Sequence, residues 1–252
     1  MTKRIHPQDL EASHHPEAIR DRLSMDPRPN HLGDMVLGAI DGCVTTFAVV
    51  TGAVGGGFSS DVIIVLGFAN LLADGFSMAV SNYQSTKAQR DLLEEAARTE
   101  EQHIVHVPEG EREEVRQIFA RKGFEGEMLE RIVEVITSDR KLWIDTMMAE
   151  ELGLPLETPN PMRAALTTLV AFVVVGLIPL LPFLIPGLTP RQTFIASGIA
   201  TGVAFFGIGS AKGRVLNRAP LRAGLETLLT GGAAASLAYL VGWWLRRVYG
   251  MN

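Results

Sequence analysis

Three residues place cation-binding groups inside otherwise apolar sequence. Asp41 lies in HLGDMVLGAIDGCVTTFAVVTGAVGGG, and Asp74 and Met78 lie in DVIIVLGFANLLADGFSMAVSNYQS. A carboxylate in hydrocarbon costs on the order of 3 kcal/mol, so it persists where it faces a cavity or a partner. Carboxylate oxygen and thioether sulfur together make a mixed hard and soft ligand set, suited to a divalent transition metal and poor for Mg²⁺ or Ca²⁺. Met78 taken alone fits equally well as core filler. A second group lies in residues 86–160. There Glu100 and His103 are three apart, Glu111 and Glu114 are three apart, and Met147 precedes Glu151 by four, so each pair shares a helix face. Packed together these side chains would form a carboxylate-lined metal pocket, although ordinary solvated helix faces carry the same spacings. Glu94, Glu95, Glu113, Glu125, Glu127, Glu130 and Glu134 are expected to face solvent.

The elements that must position these groups follow from composition and patterning. The 252-residue chain is 47% hydrophobic and 20% charged, too apolar for disorder. Residues 86–160 hold 18 of the 28 Asp and Glu but only 10 of the 23 Lys and Arg, a local net charge of −8 in a chain of net −5. That acidity argues against nucleic acid as a partner. The single cysteine, Cys43, excludes a disulfide framework and any cysteine-cluster metal site. Two apolar stretches, each able to cross about 30 Å of hydrocarbon, occupy residues 32–85, and three more lie at about 162–185, 191–211 and 222–245. The expected fold is an all-α membrane protein of five transmembrane helices, with a helical insertion between the second and third. Pro179, Pro182 and Pro186 should kink or end the third span. Within the insertion, four amphipathic helices are expected at about Thr86–His106, Glu111–Lys122, Glu125–Ser138 and Arg140–Leu152. The expected divisions are therefore 1–31, 32–85, 86–160 and 161–252.

Orientation follows from basic residues in short loops. Lys87 and Arg90 follow the second span, Arg163 precedes the third, and Lys212, Arg214, Arg218 and Arg222 separate the fourth from the fifth. Those ends should face the cytoplasm, and with them residues 1–31 and 86–160. Arg246 and Arg247 after the fifth span run against this rule, outweighed by four consistent loop ends. Residues 1–31 are polar, lack the apolar core of a secretory signal, and carry His6, His14 and His15. A bacterial inner membrane is the expected location.

The stretches AIDGCVTTFAVVTGAVGGG, ANLLADGFSMAVSNYQSTKAQ, EEQHIVHVPEGEREEV and WIDTMMAEELGL resemble the vacuolar iron transporter family. The resemblance runs from about His31 to the end and is strongest in the elements around Asp41, Met78 and Met147–Leu154. It implies a homodimer of five-helix protomers, with a metal path between protomers and a cytoplasmic helical domain that gathers Fe²⁺ before exchange against protons. Carried over by position, the path aspartate and methionine fall on Asp41 and Met78, and the ligands of the cytoplasmic domain on Glu100, Glu111, Glu114, Met147 and Glu151. Three departures bear on metal selectivity. His103 stands where the family more often has glutamate, and a neutral imidazole there still binds Fe²⁺ or Zn²⁺. Asn70 and Asn82 stand where relatives can carry acids, and Met148 where a further carboxylate is expected, with Glu150 beside it as a substitute.

The function implied is a non-enzymatic Fe²⁺/H⁺ antiporter that moves Fe²⁺ out of the cytosol, with Mn²⁺, Co²⁺ or Zn²⁺ as alternative cargoes and no permanently bound cofactor. Its partners would be transition-metal ions, protons, membrane lipid and a second copy of the chain. Two other readings compete. A membrane-tethered metal sensor or buffer would need the acidic insertion but not Asp41 and Met78. A di-iron oxidase would use Glu100 with His103 and Glu11 with His14, both Glu-x-x-His pairs.

Overall fold

The computed structural model describes residues 11–12, 14–24 and 31–250. His6 lies outside them, as do parts of the segment 1–31. The described helices are α1 (Pro16–Ser24), α2 (Leu32–Gly56), α3 (Ser60–His106), α4 (Pro108–Arg121), α5 (Gly126–Ser138), α6 (Arg140–Glu150), α7 (Pro161–Gly176), α8 (Pro190–Val215) and α9 (Pro220–Tyr249), with a 3₁₀ segment at Ile178–Leu184. No strand occurs among the described residues. The chain is an all-α membrane protein. α2, α3, α8 and α9 are each long and apolar enough to cross a bilayer, and α7 with the 3₁₀ segment makes a fifth span when the pair, bent by 40°, is taken as one. Two compact units divide the chain: Met1–Tyr83 with Met162–Asn252, and Gln84–Pro161.

In the first unit, small residues set the helix spacing. A Cβ added at Gly42 would lie 2.3 Å from the Phe172 carbonyl oxygen, and one at Gly38 2.2 Å from that of Thr168, so α2 meets α7 backbone to backbone. One at Gly242 would lie 2.0 Å from the Gly52 carbonyl oxygen, which seats α9 on α2 in the same way. Without a hydrophobic drive between helices in lipid, such close approach is the main source of packing energy. α2 ends at Gly57, whose φ of 80° admits the left-handed turn that lets its N–H reach the last carbonyls of the helix. Val50, Ala53, Ile63, Leu180 and Phe183 form the apolar core beside it.

The expected kink in the third span is present and has a local cause. Pro179, just past the bend, has no N–H to donate to the carbonyl of Val175, and its own carbonyl accepts a 2.7 Å hydrogen bond from the buried Ser197 hydroxyl of α8. The sequence-based expectation of separate helices before and after residue 86 is corrected. α3 is one helix of 47 residues. SNYQSTKAQRDLL contains neither proline nor glycine, and Arg90 pairs with Glu94 one turn on, so nothing breaks the backbone ladder. α4 also starts three residues earlier than expected, because Pro108 fits the first turn, where its missing N–H costs nothing.

The second unit has its own core. Ile104, Val115, Ile118, Val133, Ile136, Trp143 and Met147 form one buried cluster contributed by α3, α4, α5 and α6. α5 is the most sharply amphipathic of these, with Val133 and Ile136 inward and Glu127, Glu130 and Glu134 outward. Asp139 caps α6 by accepting from the Leu142 N–H at 3.0 Å. The glutamates expected at the surface are exposed, and several are paired. Arg116 bridges Glu113 and Glu130, and Arg131 pairs with Glu134.

Candidate metal centre

The centre of the second unit is built by a tight helical hairpin. Only Val107 separates α3 from α4. Its N–H donates to the His103 carbonyl at 2.8 Å, and the Glu111 N–H donates back to the Val107 carbonyl at 3.2 Å. This reversal sets Glu100 and His103 beside Glu111. Ile104 and Val115 stand one turn beyond the two glutamates and anchor them to the core. Both glutamates are consequently only 3% exposed, and the Oε2 atom of each is buried with no hydrogen-bond partner. The half-exposed His103 places Nδ1 3.4 Å from Glu111 Oε1 and 4.0 Å from Glu100 Oε1. One ligand atom from each of the three lies within 4.8 Å of the others. Two ligands about 2.1 Å from one ion are roughly 3–4 Å apart, so a small inward shift would complete three bonds to a transition metal.

Electrostatics fit the same purpose. Burial, reinforced by the Glu114 and Glu100 carboxylates, pushes the Glu111 carboxyl up to about 7, with His103 opposing. Burial and then Glu151 raise Glu100, with a further contribution from Glu114. Desolvation and then Glu114 raise Glu151. Glu114 and Glu151 are exposed at the rim, within electrostatic reach of the buried pair. Crowded carboxylates that resist ionisation are relieved by a divalent cation, which exchanges for the proton.

In the first unit, Asp74 and Asp41 lie within electrostatic reach of each other. Asp41 lines an open groove of about 510 Å³ between α2 and α9, with Val36, Ile40, Thr230 and Gly231 among its walls. Asp74 and Met78 are half-buried one turn apart on α3. Asn70 and Asn82 extend the same four-residue spacing, giving a polar stripe that winds about 40° per step. At one end Asn82 donates to Asp34 Oδ1 at 2.8 Å and to Thr168 Oγ1 at 2.7 Å, and His31 Nδ1 lies 3.0 Å from Asp34 Oδ2. At the other, the Asn70 side-chain nitrogen is buried without a partner.

Compared with known proteins, residues 32–243 match the VIT family. The chain belongs to the VIT family. A vacuolar iron transporter of Toxoplasma gondii is 31% identical over 97% of this chain and 87% of its own length. Vacuolar iron transporter 1 of Arabidopsis thaliana is 36% identical over 82% of each chain, and a vacuolar iron transporter of Centaurea cyanus 34% over 82% of this chain and 84% of its own.

Within this VIT family member the structure gathers three of the sequence-predicted ligands. Glu100, His103 and Glu111 come together, with Glu114 and Glu151 close enough to act on their charge. Met147 is fully buried in the core that supports them. Glu150 pairs with Lys122. Met148 is buried, and Glu11 and His14 are exposed. Sequence reading missed the tie among Asp34, Asn82 and Thr168. The four-residue spacing from Asn70 to Asn82 was the available signal for its α3 member, and nothing local pointed to Thr168.

Proposed function

We propose that this chain is a divalent transition-metal transporter whose principal cargo is Fe²⁺, exchanged against protons and moved out of the cytosol. The observation that carries the reading is the pair of buried carboxylates of Glu100 and Glu111, each with one oxygen that lacks a hydrogen-bond partner, beside His103 in a chain whose apolar helices also hold Asp41, Asp74 and Met78. The insertion, on the cytoplasmic side of a bacterial inner membrane, captures the ion, and its net negative charge raises cation concentration there. Asp41, Asp74 and Met78 carry the ion across, and protonation of Asp41 from the outer side releases it. Two copies of the chain enclose this path. Membership of the VIT family and the names of the relatives support the cargo.

The test is flux into proteoliposomes loaded with a pH-sensitive dye. With the lumen acid, Fe²⁺ uptake should proceed together with lumenal alkalinisation, and dissipating the proton gradient should slow both. Saturable Fe²⁺ binding without uptake would replace the transporter with a membrane-tethered buffer.

A further inference from the structure

A second site lies in the first unit. α2, α7 and α8 enclose an apolar groove of about 620 Å³, walled by Met35, Val36, Val170, Val174 and Ile208, with Lys212 the one charged residue of its lining. Its lining runs from Leu32 to Ala39 on α2 and from Leu166 to Val175 on α7, so it is roughly 12 Å long, close to half the hydrocarbon thickness of about 30 Å. Val170 and Val174 are each 60% exposed, so the groove opens outward to the surrounding lipid.

Lys212 also lines a smaller cavity of about 270 Å³, together with Arg218. A turn of defined geometry places Arg218 there. Asn217 takes the left-handed conformation at φ 52°, and the Arg218 N–H donates to the Gly213 carbonyl at 2.8 Å, folding Arg218 back beside Lys212. Glu226 also lines the cavity but is paired with Arg222 at 3.4 Å. Among the described residues Lys212 and Arg218 form no ion pair. An apolar groove about one leaflet deep, with Lys212 on its lining and Arg218 on the cavity that shares Lys212, matches one occupant in both shape and charge. We infer that this groove binds an anionic phospholipid, one acyl chain between α2, α7 and α8 and the headgroup phosphate between Lys212 and Arg218.

Full-length protein in mild detergent is titrated with phosphatidylglycerol or phosphatidylcholine, and bound lipid is counted by native mass spectrometry. Wild type should prefer phosphatidylglycerol by roughly tenfold. K212Q with R218Q should lose that preference, K212R should keep it, and Val170→Trp should lower retention of both lipids by filling the groove. Equal retention of the two lipids by wild type, or preference unchanged in K212Q with R218Q, would overturn the inference. Displacement of phosphatidylglycerol by equimolar inorganic phosphate would reduce the site to a free-anion site and overturn it too. So would conversion of dimer to monomer by Val170→Trp with lipid retention intact, since a second copy would then be the occupant.

Discussion

Replacing Glu111 by Gln should stabilise the metal-free protein at pH 8 and, in the same variant, severely weaken metal binding. Burial holds this carboxyl near 7, above its ordinary 4.5. The folded state therefore keeps a proton that the unfolded state has lost between those values, and stability falls as pH rises from about 4.5 through about 7. That cost is borne above pH 7 by the protein without metal. Glutamine carries no charge to desolvate, so the variant should recover much of that energy at pH 8 and gain nothing at pH 4. Hydrogen-exchange protection of the amides between Ile104 and Ile118, measured with chelator present, reads this directly. Wild-type affinity for Mn²⁺ or Fe²⁺ should fall by about tenfold per pH unit below 7, where the proton competes for Glu111. Glu111→Gln should lose more than the roughly 10–100-fold that removal of an outer-shell partner costs. A variant that binds metal like wild type would remove Glu111 from the site.

The largest packing effect is expected at Gly42, where α2 and α7 cross. An added Cβ would stand 2.3 Å from the Phe172 carbonyl oxygen and 2.9 Å from its Cα, both backbone atoms that no rotamer change can move. Gly42→Ala must separate the helices, at a cost of about 3 kcal/mol. Gly232→Ala, with nothing within 4 Å of the new Cβ, should instead be neutral or slightly stabilising. Thermal unfolding of the two variants in detergent separates the outcomes. Because Asp41 precedes Gly42, the same displacement should also move the carboxylate on the proposed path and lower flux. Equal melting temperatures would mean that the crossing is looser than the backbone distances imply.

Much of the metal centre could be read locally. Glu100 with His103 is a three-residue helical pair, and Pro108 marks the start of the helix that delivers Glu111. What local patterning could not supply is the long-range partner of each carboxylate. Glu150, expected to stand in for a carboxylate at position 148, pairs with Lys122, 28 positions earlier. The spans were legible from apolar runs of sufficient length, and the third-span kink from its prolines. The continuity of α3 through residue 86 was obscured because the sequence changes from apolar to charged there, while helix propensity does not change. Asn82 read as a lost acid. Its role as a tie depends on Asp34 and Thr168, partners 48 and 86 residues distant, which no periodicity links.

The most direct test of the proposed transport is proton-driven Fe²⁺ flux into proteoliposomes by wild type and Asp41→Ala, with Fe²⁺ binding to the same preparations measured in parallel. Flux should vanish in the variant while binding at the Glu100, His103 and Glu111 cluster persists, because capture and passage use different residues. Undiminished flux through Asp41→Ala would contradict the assignment of Asp41 to the path.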